Sequence, residues 1–359
     1  MMRRILIALA LTALGVEHAS AAQQRTFVSG NGVDPNASAC TVLVPCCTLS
    51  APCRTFATAV LQTLAGGEVV ALDSAGYGPV SISQSVTIVA ASGVHAGISV
   101  PATGTQQGID ISGSATIVTL RGLTINSIGG GVGINFVNAK ALTVERCHLF
   151  GFSSAGIFQF GGAMVVRDTT ISDGPLSADG VLIYAGGATL DRVAISRTYN
   201  GVEVYGTAAL AMRVSTINDV SNDGVVAVES SSVSLDGVTI SRAGGSGVRA
   251  AGDAFGGKSY VQVIRSQIVG AGMYGLLSTG TSPGASQIHV SDSLVAGNGS
   301  AGVSTVATGQ ATISGNTIVR NSTGLFVDFG TLLHTFQNNQ VRDNTAANIN
   351  GGTDPLTRN

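Results

Sequence analysis

The chain has 359 residues, 44% of them hydrophobic and 11% charged, with 49 Gly, no Trp and a formal net charge of −2. Disorder needs low hydrophobicity and high net charge, so this composition excludes it. The 18 basic residues against 20 acidic ones leave no electrostatic footprint for nucleic acid.

At the N-terminus, Arg3 and Arg4 precede the apolar stretch Ile5 to Val16, and Ala19-Ser20-Ala21 follows. This charged, apolar, small-residue order predicts a secretory signal over 1–21, hence a secreted or periplasmic protein with no membrane span once it is removed. Export permits disulfides. In the segment 22–54, Cys40, Cys46, Cys47 and Cys53 crowd together, while Cys147 stands alone. Four cysteines allow three pairings. Bridging the neighbours Cys46 and Cys47 would strain a small ring, so Cys40 and Cys53 are expected in separate bridges. A four-thiolate zinc site is the rival, and export disfavours it. No metal and no cofactor are expected.

Residues 55–66 read as a short capping helix, with Phe56, Ala59, Val60 and Leu64 on one face and Gly66-Gly67 as its stop. From there to 349 the chain repeats itself, leaving 350–359 as a tail. An aliphatic residue recurs at Ile125, Leu149, Ile171, Ile195, Ile217, Ile240, Ile268, Val295, Ile318 and Val341, at steps of 22 to 28 residues. A second column, Gly followed by an aliphatic, includes Gly156, Gly180, Gly201, Gly224 and Gly247. Residues around it alternate in twos, which is strand periodicity. A unit of this size cannot bury its apolar side alone and must stack on copies of itself. A leucine-rich repeat has a similar period, but Leu is not the frame here. The expected fold is all-β, a single parallel β-helix of about 10–12 rungs spaced ~4.8 Å apart.

The run PCRTFATAVLQTLAGGEVVAL, followed by GYGPVSISQSVTIVA, resembles the N-terminal cap and first rung of right-handed parallel β-helix proteins of the pectin-lyase-like superfamily. The resemblance spans roughly 50–349 and implies right-handedness, which periodicity alone does not give. It points to no single enzyme family. The tight Asp-Asp and Gly-His-Gly signatures of related hydrolases and the Tyr-Gly-Asp-Pro-His type motif of related epimerases are absent.

Aligned rungs sort the charges. Arg121, Glu145, Arg167, Asp191, Arg213 and Asp236 form one column of alternating sign, with shorter ones at Arg146, Asp168, Arg192 and at Asp173, Arg197, Asp219, Arg242. Such alternation predicts ion-pair ladders that fix register. Ser266, Ser293, Asn316 and Asn339 read as an internal polar ladder, and Cys147 in that column as a small buried filler.

Outside the ladders stand Asp179, Asn200 and Asp223 on three consecutive rungs, and Glu203 facing outward. Phe158, Phe160, Tyr184, Tyr205 and Arg249 share that outward face. Aromatic rings beside acids suit a glycan, which needs stacking surfaces and hydrogen-bond acceptors. Asp179, Asp223 and Glu203 are the acid–base candidates, and Phe158, Phe160, Tyr184, Asn200, Tyr205 and Arg249 the substrate-binding ones. Two rungs separate Asp179 from Asp223, ~9–10 Å, at the outer edge of an inverting pair. Rungs lengthened near 252–258 and 279–285 either raise a wall on one flank, where solenoids place binding surfaces, or are tolerated loop growth. The expected partner is a polysaccharide or cell-envelope glycan, bound and, if the protein is an enzyme, cleaved or modified by a hydrolase, lyase or epimerase reaction. The alternative is a non-catalytic rod whose stripe Phe158, Leu182, Tyr184, Tyr205 and Val226 contacts protein.

Overall fold

The computed structural model describes residues 22–35, 40, 45–103, 106–175, 177–281 and 284–356, so the expected signal segment lies outside the described residues. The chain winds as a parallel coil with three strands per turn. One complete turn is Val132–Val137, Ala141–Glu145 and His148–Phe150, and these define a first, second and third face. Strands on each face pair in parallel with their counterparts one turn away, and the third face is a sheet of 12 strands. In Ala155–Arg167 and Asp179–Asp191 the first and second faces run on as single strands.

The aliphatic column of the sequence is the physical stack of the third face. Ile125 pairs with Leu149, Leu149 with Ile171, Ile171 with Ile195 and Ile195 with Ile217, each fully buried or nearly so. The glycine column lies against it. A Cβ on Gly180 would sit 2.5 Å from both Gly201 O and Ile195 Cγ2, and Gly201 and Gly224 are equally crowded. Only a residue without a side chain lets the isoleucine stack approach the first-face backbone.

Turns bend at two columns of left-handed residues. One is Gly122, Arg146, Asp168, Arg192, Val214, Gly237 and Arg265, the other Gly151, Asp173, Arg197, Asp219, Arg242 and Gly270. Between the second and third faces, buried side-chain oxygens satisfy backbone donors of the preceding turn. Ser266 N donates to Ser293 Oγ at 3.1 Å, Ser293 N to Asn316 Oδ1 at 3.0 Å, and Asn316 N to Asn339 Oδ1 at 2.9 Å. Cys147 is buried in this column, and burial pushes its thiol up to about 11, so it is no nucleophile. A second internal ladder, Asn298, Asn321 and Asn344, repeats the pattern.

The N-terminal end departs from the expected boundaries. The helix is only Phe56–Leu61, capped by Thr55, and Leu64 is 45% exposed rather than on its buried face. The reason is a strand, Gln23–Val28, that the sequence did not announce. It pairs with Thr63–Ala71 and draws the chain out of the helix immediately after Gln62. Disulfides join Cys40 to Cys46 and Cys47 to Cys53, so Cys40 and Cys53 do fall in separate bridges. The knot covers the open edge of the first strand: Phe27 N donates to Cys47 O and Cys53 N to Phe27 O. At the other end the coil runs past 349, because Asp354–Leu356 pairs with Leu332–Phe336.

Candidate functional site

The charge columns stack in register as the alternation requires, Arg121 on Glu145, Glu145 on Arg167, Arg167 on Asp191, Asp191 on Arg213 and Arg213 on Asp236. The ion pairs close less regularly. Glu145 meets Arg121 at 2.9 Å and Arg167 at 3.6 Å, but Asp191 turns to Arg192 at 2.6 Å and Asp236 to Arg265 at 2.5 Å. Corner pairs form two-pronged contacts, Arg192 on Asp168, Arg197 on Asp173 and Arg242 on Asp219. The guanidinium beside each of Asp168, Asp173 and Asp219 holds that carboxyl below its ordinary value. These acids are committed to arginine.

Asp179, Asn200 and Asp223 are buried at the edge of the first face and form a ladder of their own. Asn200 N donates to Asp179 Oδ1 at 3.3 Å, Asp223 N to Asn200 Oδ1 at 3.2 Å, and Ser246 N to Asp223 Oδ1 at 2.6 Å. The column therefore has a structural task the sequence reading did not give it. Asp223 is further engaged by Arg249, whose Nε lies 2.6 Å from Oδ2.

Asp179 differs. The Glu203 carboxylate lies beside it, and burial, reinforced by that negative charge, raises Asp179 to about 7. Glu203 is held by Asn200 Nδ2, donating to Oε2 at 3.0 Å, and by the Tyr205 hydroxyl, donating to Oε1 at 2.8 Å. Burial and this bond to Glu203 push the Tyr205 phenol above its ordinary value, so it stays a donor. Asp179 and Glu203 adjoin rather than flank a gap, so the Glu203 charge adds to burial in favouring the protonated form of Asp179.

Beside this pair the Tyr184 and Tyr205 rings stack, centroids 4.7 Å apart and 8° from parallel, and Phe158 meets Tyr184 at 5.7 Å. Tyr184 occupies a bulge: Ile183 pairs with Gln159 and Ala185 with Phe160, leaving Tyr184 unpaired and 41% exposed. Phe160 is exposed but outside this stack. Val226, in register between Glu203 and Arg249, is fully buried, so it cannot belong to an outward contact stripe.

The outward column continues where sequence reasoning did not follow it. Phe158 is in register with Asn135, Asn135 with Asp110, and Asp110 with Ser81. Asn135 Nδ2 donates to Asp110 Oδ1 at 2.7 Å, and a concavity of about 350 Å³ lies between Asp110, Ser81, Gln107 and Leu61. Among the described residues no three His, Cys, Asp or Glu side chains converge to hold a metal ion, and no helix is long and apolar enough to cross a membrane.

Comparison with known proteins places this geometry in context. No curated protein sequence matches the chain. Among the solved structures that share its fold at low identity are the following three. A GH87 α-1,3-glucanase catalytic unit from Streptomyces thermodiastaticus is 15% identical with a TM-score of 0.56, over 78% of this chain and 64% of that one. An alginate lyase from Paenibacillus is 11% identical with a TM-score of 0.52, over 76% and 95%. Tailspike protein 2 of the Escherichia coli O157:H7 bacteriophage CAB120 is 11% identical with a TM-score of 0.50, over 82% and 43%. The chain thus spans less than two thirds of the glucanase unit. The family described as right handed beta helix region matches residues 80–209, 156–318 and 200–359. With the parallel coil and the stacked columns above, these matches establish that the chain belongs to the right-handed β-helix family.

Proposed function

We propose that the protein is exported and binds a polysaccharide or cell-envelope glycan along the outer column of its first face. The carrying observation is the exposed Tyr184 ring, stacked on Tyr205 and set beside the Asp179–Glu203 pair. Flat rings offer a platform for the apolar faces of sugars, and the acids and Asn200 offer partners for their hydroxyls. Phe158 extends the platform toward Asn135 and Asp110, Phe160 adds an exposed ring two residues further along the same strand, and Arg249 neutralises Asp223 at the other end. The glucanase and alginate lyase that share the fold carry polysaccharide names, which supports this ligand class.

A second reading, proton transfer on the bound glycan, is favoured by the value near 7 of Asp179. A protonated Asp179 is the acid and Glu203 the base; Asp223, the third candidate, stays ion-paired. Because the two carboxyls adjoin, no sugar ring fits between them, which argues against hydrolysis by two flanking carboxyls.

A glycan array on the mature chain, paired with a reducing-end assay, tests both. Binding that weakens on the order of five- to tenfold in Tyr184→Ala supports the first reading. Turnover lost in Asp179→Asn with binding kept supports the second. No glycan bound, with concentration-dependent self-association instead, would favour the structural rod.

A further inference from the structure

The second face carries a separate feature. Its central outward column begins with small side chains, Thr143, Val165, Thr189, Ala211 and Ser234, and then changes to Gln262, His289, Thr312 and His334 on consecutive turns. A groove of about 270 Å³ opens there between Gln287, His289, Gln310, Thr312 and His334. A second concavity of about 170 Å³ continues from His289 toward Gln262 and Phe336. Tyr260 leans on His289 with ring centroids 5.1 Å apart and remains partly exposed. Tyr260 and Gln287 also start close behind the two lengthened rungs, which lie one on the other through Gly252 N donating to Thr279 O.

The chemistry of the lining selects the ligand. Gln287 Nε2 donates to Gln310 Oε1 at 3.1 Å, and among the described residues the Gln287 side-chain carbonyl and the Gln310 amino group have no partner. Among the described residues the His289 imidazole has no hydrogen-bond partner, and burial together with the facing His334 holds it below its ordinary value, so it is neutral at pH 7. The carboxylate of Asp354 lies 2.9 Å from His334 Nδ1, on the outer side of that ring. No lysine or arginine lines the groove to attract an anion, and one carboxylate beside a histidine is a poor cation site. Amides, a hydroxyl, neutral imidazole and a tilted phenol together match a ligand rich in hydroxyls and without charge.

We propose that this groove is a second carbohydrate site, taking an uncharged sugar unit independently of the Asp179–Glu203 patch. The test is calorimetric titration of the mature chain with cellohexaose, laminarihexaose, maltohexaose and chitohexaose. At least one should bind, its affinity falling at least about fivefold in Gln310→Ala and in His289→Gln but not in Tyr184→Ala. Both substituted side chains lie outside the coil, and unchanged melting of either variant confirms that its fold is kept. Failure of all four sugars to bind at millimolar concentration would overturn the proposal. So would binding sensitive only to Tyr184→Ala, which would leave the first-face reading standing.

Discussion

Val214 supplies a β-branched side chain where the corner backbone requires φ +47, in a column otherwise filled by Gly, Arg and Asp. Left-handed backbone is costly for such a residue, and at 65% exposure the side chain recovers little by packing. Val214→Asn should therefore stabilise the protein by about 1 kcal/mol, seen as a rise in Tm of about 2–4 °C. Asp179 makes the opposite case. Its folded value, raised above that of the unfolded chain, means the native state holds an extra proton between about pH 4 and 7. Stability from this group is full below the unfolded value and is lost as pH rises through the folded one. Asp179→Asn should shrink the drop in Tm between pH 5 and pH 8, and an unchanged drop would refute the raised value of Asp179. The raised value itself could not be read from the sequence, because it depends on burial at the edge of the coil and on Glu203 arriving beside Asp179 from the next turn.

For single strands and turns, the glycine ladder gives the sharpest expectation. In Gly201→Ala the new methyl meets Gly224 O and Ile217 Cγ2 at 2.5 and 2.6 Å, both in the tightly packed interior. A loss of about 2–4 kcal/mol is expected in denaturant unfolding, since backbone must move to admit it. This column and the aliphatic one were legible because the coil repeats its environment every turn, so identical demands recur at fixed spacing. The charge columns were legible in sign and register for the same reason. Their ion pairs were not, because a half-buried Asp191 beside the largely exposed Arg192 can choose between Arg167, Arg192 and Arg213 at little difference in energy. The Asp179, Asn200 and Asp223 column was seen in sequence only as chemistry. Its second role, accepting N–H groups from the next turn, is one that Asp and Asn fill interchangeably.

Across the whole molecule, the repeating coil was readable, while both ends were not. The first strand, Gln23–Val28, and the last, Asp354–Leu356, each pair on one side with the repeat but lack its columns, so nothing periodic marks them. The outer column from Glu203 through Leu182, Phe158, Asn135 and Asp110 to Ser81 crosses five rung steps, a track of about 24 Å. A glycan lying along it must contact several turns at once. The most direct measurement is the dissociation constant of the array-identified glycan as a series of increasing chain length. Affinity should strengthen with each added sugar until the track is filled and then level off, with every member weakened by Tyr184→Ala. Affinity that is already complete at one or two sugars, or that ignores Tyr184, would contradict binding along the rod.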